Sequence, residues 1–484
     1  LNKAQKLVTQ ITLFCMVIFT TIVFIIMLKN VFQTYMQSHL VLFSLALILT
    51  LLGVILISYL LYIIPENKLA NRLTILAMML VFVIVSLLWI NFVPKTQISD
   101  FGNFWSRVTG ILKGDLLYYT NQDYFAKWAY QTGFMAYILL LVKIFGFHIL
   151  PVQLLNILYQ VFTILLIYKI TLKIFKNVKM ARISAFLLMI DLDWFAISSQ
   201  ADNQYLGSFL FLLTFYLVLQ NKYWSYLLAG ICLALGAIIR PIGPVIIAGI
   251  IVYAIVYAIV NNNSIHIEQL WKLLVLLGMY FLIFNGAGLL IKSSGLNQYG
   301  LSNRDPGWKF AVGLNYRSGG TYDQKLFEQI NTNKNQQQMK QEEKKILTDE
   351  ISYLNKNHKW LSLFQKKIST SWSSSSHAID FTSVNTKVSP RTYQKLTLLG
   401  YLGSIIIILF SWIGSFVLYK MKEYQGIFLL ILPFLAFAVV QLFIEVQGRY
   451  RIEFIPILAI ISSIGMMEIV KRIPTIFHQR KQIE

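Results

Sequence analysis

Stretches of about twenty apolar residues recur along this chain, and they constrain its fold more than any other feature. Residues 7–28, 41–64 and 73–93 contain no charged side chain, and each is long enough to cross the hydrocarbon of a bilayer as one helix. Further mostly apolar runs cover 151–172, 184–199, 203–219, 223–239, 243–260, 270–291, 396–418, 427–444 and 452–470. A backbone in lipid must satisfy its own hydrogen bonds, so runs of this kind are read as helices. The sequence therefore predicts an all-α polytopic membrane protein with about twelve transmembrane helices. Charged residues make up 13% of the chain, against roughly 25% in soluble domains. No internal repeat suggests the two halves of a transporter.

The net charge of +21 does not point to nucleic acid, because the basic residues sit mostly in short loops between apolar runs. That is the pattern of the positive-inside rule. Lys68 and Arg72 separate the second and third runs, and Lys169, Lys173, Lys176, Lys179 and Arg182 form the strongest basic cluster. With Lys471, Arg472, Arg480 and Lys481 in the tail, the rule puts both termini in the cytoplasm and the third helix's exit outside the cell membrane. Lys3 and Lys6 precede a run with no small-residue cleavage site, which reads as an uncleaved anchor. Cys15 and Cys232 both lie in apolar runs and make neither a disulfide framework nor a zinc spacing.

Five regions follow. Residues 1–94 hold the N-terminal transmembrane helices, and 95–150 an external catalytic loop. In that loop the short run 132–147, with Lys143 inside it, reads as a helix lying along the outer surface; the alternative, a full span, would place the later basic cluster outside. Residues 151–291 form a transmembrane core. Residues 292–395 are polar and lack a spanning run, so they read as an external α-rich soluble domain whose middle, 322–367, has near-helical apolar spacing. Residues 396–484 supply the last transmembrane helices and a cytoplasmic tail.

Under this topology ionisable residues converge on the outer boundary from four places. The first external loop supplies Asp100, Arg107, Lys113, Asp115, Asp123 and Lys127, and the second supplies Asp202 with Asp191 and Asp193 deeper. The third supplies Arg240, and the last Glu445, Arg449 and Arg451. Charges at membrane depth are costly and usually functional. Guanidinium forks suit phosphate oxygens, and carboxylates suit deprotonation of a hydroxyl. Competing readings stand beside these: Asp100 and Asp202 suit helix caps, and Arg240 suits a snorkelling anchor. Asp191 and Asp193 spell DxD, but inside an apolar helix side chains at i and i+2 diverge. The six histidines show no ligand spacing, so no metal site is assigned; no cofactor is certain, and a divalent metal is left open. No Gly-rich phosphate loop is present, which argues against a nucleotide-sugar donor.

Five segments, SDFGNFW, YFAKWAYQTGFMAYILLLVKIFG, SSQADNQYLGSFLFLLTFYL, LAGICLALGAIIRPIGPVIIAG and QGRYRIEFIPILAII, give the chain its likeness. In this order it resembles the GT-C glycosyltransferases, in particular the family 39-like branch of protein O-mannosyltransferases and lipid A aminoarabinose transferases. The resemblance implies a polyprenyl-phosphate-linked sugar as donor, an external active site, and an extracytoplasmic acceptor (cell-wall glycopolymer, lipid or protein). It implies Asp100 as catalytic base and places Lys127 and Arg240 at the phosphate, with Arg449 a weaker carry-over; Arg451 joins them as a donor-binding candidate on charge and position alone. The second functional acid is open among Asp115, Asp123 and Asp202. Relatives carry Pro residues after the Lys127 position, where WAYQTG stands here. A transporter or flippase of lipid-linked saccharide, or a polysaccharide ligase or polymerase, is the competing class. The sequence names neither sugar nor acceptor.

Overall fold

The computed structural model describes residues 3–33, 40–120, 123–261, 264–329, 335–374, 377–421 and 424–473. The chain opens with three long apolar helices, α1 (Lys3–Val31), α2 (Leu40–Ile63) and α3 (Lys68–Phe92). Asn67 caps α3 by accepting from the Ala70 amide at 2.8 Å, as a short polar side chain does at a helix start. Then come α4 (Ser99–Leu112), the single turn α5 (Tyr124–Lys127), α6 (Thr132–Phe145), α7 (Leu150–Phe175), α8 (Val178–Met189) and the single turn α9 (Leu192–Phe195). The core continues through α10 (Gln204–Gln220), α11 (Tyr223–Ile239), α12 (Gly243–Tyr253) and α13 (Ile267–Ser293). Between the core and the last helices lie α14 (Trp308–Leu314), α15 (Gln324–Glu328), α16 (Gln336–Lys356), α17 (Trp360–Ile368) and the short turn α18 (His377–Asp380). The chain closes with α19 (Pro390–Met421), α20 (Phe428–Gln441) and α21 (Ile455–Val470). One two-residue β-pairing joins Val260 to Ile265.

Six of these helices, α1, α2, α3, α7, α13 and α19, are long and apolar enough to cross a membrane, and six further apolar helical stretches are shorter. The class is therefore an all-α membrane protein. The predicted span 184–199 is not one helix: α8 stops at Met189, and Asp191 starts a separate turn by accepting from the Asp193 amide at 3.1 Å. The apolar residues on either side hid that break, because an aspartate competing for a backbone amide stops a helix without Pro or Gly.

Small residues permit close helix approach. A Cβ on Gly414 of α19 would stand 2.1 Å from the Ile461 carbonyl oxygen, and one on Gly465 of α21 would stand 2.3 Å from that of Phe410. The backbones can therefore touch, in the manner of small-residue interfaces in lipid. Ser411 and Ser462 hydrogen-bond across the same seam at 2.8 Å. The helix α1 docks on α19 through Thr20 and Ser415, 2.9 Å apart, and through the Trp412 indole, which donates to Thr21 at 3.0 Å. A separate small core of Trp128, Trp308, Ala311, Val312, Leu326 and Met339 packs the segment after α5 against α14, α15 and α16. That contact brings residues of the polar 292–395 stretch over the loop that carries Asp100.

Candidate functional site

Asp100 lies in the first turn of α4, a few residues beyond the end of α3, and its carboxylate pairs with the Arg449 guanidinium. Arg449 belongs to the 3-10 turn Gly448–Arg451 that follows α20. Phe101 and Phe381 clamp that guanidinium, at 4.7 and 4.8 Å from their ring centroids, and its Nε donates to Gln447 at 2.8 Å. Cation–π contact on two rings fixes the plane of an arginine fork while leaving its edges for anions. These contacts bring the start of α4, just beyond α3, against the turn that follows α20.

From Asp100 a closed ring of polar contacts runs through the buried interior. The Tyr124 hydroxyl lies beside Asp100, helps to hold it ionised, and accepts from the Gln131 side-chain amide at 3.3 Å. The Gln131 carbonyl oxygen accepts from Asn203 at 3.2 Å, and the Asn203 carbonyl oxygen accepts from Arg240 at 3.3 Å. Arg240 pairs with Glu453, and Glu453 accepts from Gln204 at 2.9 Å. Gln204 also donates to the Arg449 backbone carbonyl at 2.6 Å, which closes the ring. The side chain of Arg240 reaches this place over Gly207, where a Cβ would stand 2.6 Å from Arg240 Cγ. Arg240 and Arg449 flank the Tyr450 ring at 5.6 and 5.8 Å.

Asp202 is buried beside both arginines. One of its oxygens accepts from the Gln204 amide at 3.0 Å, while Oδ1 has no hydrogen-bond partner among the described residues, nor has Arg240 Nε. Buried polar atoms without partners are rare and mark places where a ligand or water belongs. Burial pushes the Asp202 carboxyl up to about 7, against the pull of Arg240 and Arg449. For Asp100 burial acts in the same direction, but Arg449 and Lys309 outweigh it and hold the carboxyl below its ordinary value. Arg449 itself is shifted upward, since Asp100 and Tyr450 overcome its burial. Two acids at one site, Asp202 buried and Asp100 partly exposed, are thus driven apart, one ionised and one titrating close to neutral pH.

Lys309 carries no signal in the sequence that singles it out, yet it stands at this site. It pairs with Glu445, lies 4.7 Å over the Trp128 ring, and contributes to holding Asp100 ionised. Lys127, expected at the phosphate, is placed differently: its ammonium lies 3.8 Å over Phe327 and feels Asp305 and Asp123. At Trp128 the backbone leaves helical geometry (φ −114°, ψ 60°), and both neighbours pack on the α14–α16 layer, Trp128 against Lys309 of α14 and Lys127 against Phe327 of α15. Asp123 folds back on its own loop, accepting from the Tyr119 amide at 2.7 Å, and is not joined to the ring by the contacts described.

Arg451, two residues from Arg449, points elsewhere. It pairs with buried Asp193 at 2.5 Å and donates to the Trp372 carbonyl at 3.3 Å, while Asp193 also accepts from the Ala378 amide at 3.0 Å. Asp191 accepts from Ser404 at 3.4 Å. The DxD pair is therefore committed to protein donors and not to a helix face. No group of three or more His, Cys, Asp or Glu suited to a metal occurs among the described residues.

An all-helical membrane protein is what the GT-C glycosyltransferase resemblance implies. The family model described as dolichyl-phosphate-mannose-protein mannosyltransferase matches residues 132–286, from α6 into α13, and so bears that resemblance out there. Asp202 and Arg240 fall inside the match, and Asp100 and Arg449 fall outside it. Among solved structures, the archaeal oligosaccharyltransferase AglB from Archaeoglobus fulgidus, in complex with an inhibitory peptide and a dolichol-phosphate, aligns at 12% identity with a TM-score of 0.46. The alignment covers 84% of this chain and 52% of that one, so this chain spans about half of that protein's length. No curated protein matches.

Proposed function

We propose that this chain transfers a sugar from a polyprenyl-phosphate carrier to a hydroxyl acceptor at the outer face of the cell membrane. The observation that carries this reading is the pairing of an ionised Asp100 with Arg449 beside Arg240, Lys309 and the unpartnered oxygen of Asp202. In the reaction the acceptor hydroxyl loses its proton to Asp100 as its oxygen bonds to the anomeric carbon. The bond from that carbon to the phosphate oxygen breaks, and its electron pair leaves with the phosphate. Arg449 and Arg240 neutralise the charge that grows there. Donors fixed in advance around a developing charge usually supply more of the rate than any other effect. The arriving phosphate competes for the Arg449 fork and so releases the Asp100 oxygen that must accept the proton. Asp202 Oδ1 and Gln204 Oε1, both without partners among the described residues, suit hydroxyls of the sugar. The segment 292–395 supplies Lys309 and is the part best placed to select the acceptor.

The test uses the full chain in sealed proteoliposomes with radiolabelled polyprenyl-phosphate sugars and candidate cell-wall, lipid and peptide acceptors. The expected result is release of polyprenyl phosphate together with labelled acceptor. Arg240→Gln should raise the KM for donor by roughly ten- to a hundredfold, the worth of one or two charge-assisted hydrogen bonds. Donor that crosses the bilayer unaltered, with no sugar released, would favour the transporter reading and end this one.

A further inference from the structure

Away from the polar ring, a cavity of about 660 Å³ lies between α1, α12 and α20, beside the end of α17 and the turn Ser369–Ser373. Its walls are apolar, with Ile11 and Ile18 from α1, Val252 from α12 and Leu435 and Val439 from α20. Ile11, Ile18, Val252 and Val439 are also exposed on the outer surface of the bundle, so the cavity opens sideways toward lipid. One end differs in character. Lys367, Ser371 and Gln441 line it, and all three are buried.

The donors at that end are incompletely used. Ser371 Oγ and Gln441 Nε2 have no hydrogen-bond partner among the described residues. Lys367 donates to the carbonyls of Gly313 at 2.6 Å and Ile444 at 2.7 Å, which leaves the third N–H of its ammonium. Burial pulls that ammonium down to about 7, with Glu445 opposing. Three buried donors in the lining of one otherwise apolar slot call for an acceptor-rich headgroup joined to a hydrocarbon chain. The volume falls within the roughly 300–1,000 Å³ of small-ligand sites.

The same end is walled off from the polar ring. A Cβ on Gly313 would stand 2.3 Å from the Phe443 carbonyl oxygen and 2.6 Å from Ile444 Cα, so the two backbones are in contact there. Beside them the Trp372 indole donates to Gln441 Oε1 at 2.9 Å. A headgroup at Lys367 is therefore separated from the Lys309–Glu445 pair by main chain.

We propose that this cavity holds one chain of a bilayer phospholipid whose anionic headgroup meets Lys367, Ser371 and Gln441, at a site distinct from that of the sugar donor. Such a lipid ties α1 to α20 and completes the hydrogen bonds that the protein alone leaves unmade. The experiment purifies the full chain in mild detergent and follows retained lipid by native mass spectrometry during titration with phosphatidylglycerol, phosphatidylcholine or polyprenyl phosphate. One phosphatidylglycerol should be held roughly tenfold more tightly than phosphatidylcholine, as expected for charge-assisted bonds. Val252→Trp, which fills the slot from its exposed rim, should abolish retention. Lys367→Met also strands two carbonyls, so Ser371→Ala, at unchanged melting temperature, carries the headgroup test and should weaken retention severalfold. Equal retention of the two phospholipids, survival of binding in Val252→Trp, or one-for-one displacement of phosphatidylglycerol by polyprenyl phosphate would each overturn the proposal. Sugar transfer is not read in any arm, so failure of the catalytic reading leaves this result untouched.

Discussion

Replacing Asp100 by Asn tests the catalytic reading most directly, because the substitution keeps shape and removes only the charge. A positioned general base contributes about 10²–10⁴ in rate, which is about 3–5 kcal/mol of barrier. The structural cost must be set against that figure. Arg449 is 4% exposed, and losing the partner of a buried charge costs about 3–5 kcal/mol. Here the loss is smaller, since Asp100 is 26% exposed and Arg449 keeps Asp202, Gln447 and two aromatic faces, so about 1–2 kcal/mol is expected. Asp100→Asn protein should therefore fold, melt a few degrees lower in detergent, and transfer sugar at least a hundredfold more slowly, while binding donor as tightly as the parent or more so, since the phosphate no longer competes with a charge for Arg449. The assay is turnover of labelled polyprenyl-phosphate sugar in nanodiscs, read beside the melting curve. Turnover within about fivefold of the parent, in folded protein, would refute Asp100 as the base.

Two further predictions concern the neighbouring acids. Burial raises the Asp202 carboxyl from its ordinary 3.8 to about 7, so the folded state binds a proton that the unfolded chain has already lost. Its favourable contribution is complete below about pH 4 and is lost as pH rises toward 7. Asp202→Asn should flatten the fall in melting temperature across that window, and an unchanged slope would argue against the shift. Asp193→Asn leaves Arg451 buried without its charge partner and should cost about 3–5 kcal/mol, against about 0–1 for breaking the exposed Lys179–Glu66 pair. Similar melting shifts for the two would remove the structural role given to Arg451.

Much of the architecture could be read in advance because the bilayer forces long apolar runs into helices. The gathering of Asp100, Asp202, Arg240 and Arg449 was also legible, since alternating helices return their ends to one face. What escaped were choices made over two or three residues. Arg449 and Arg451 look alike in QGRYRIE, but a 3-10 turn sends one to Asp100 and the other to Asp193. The apolar run 184–199 gave no sign of its break, because the stopping signal was an aspartate side chain turned onto its own backbone. Lys309 went unassigned because it lies in a polar stretch whose packing onto Trp128 no local pattern announces. Glu453 and Tyr124 went unassigned for the same reason: their partners are remote in sequence.

The turn Gly448–Arg451 has one more consequence, in the order of events during synthesis. Asp100 leaves the ribosome 349 residues ahead of the arginine that pairs with it. Asp193 likewise precedes Arg451 by 258 residues. Early helices in a nascent chain thus enter the bilayer with their carboxylates unanswered, and the ion pairs close only when the segment after α20 arrives. A product truncated before that turn keeps Asp100 and Asp193 but lacks both of the arginines that pair with them.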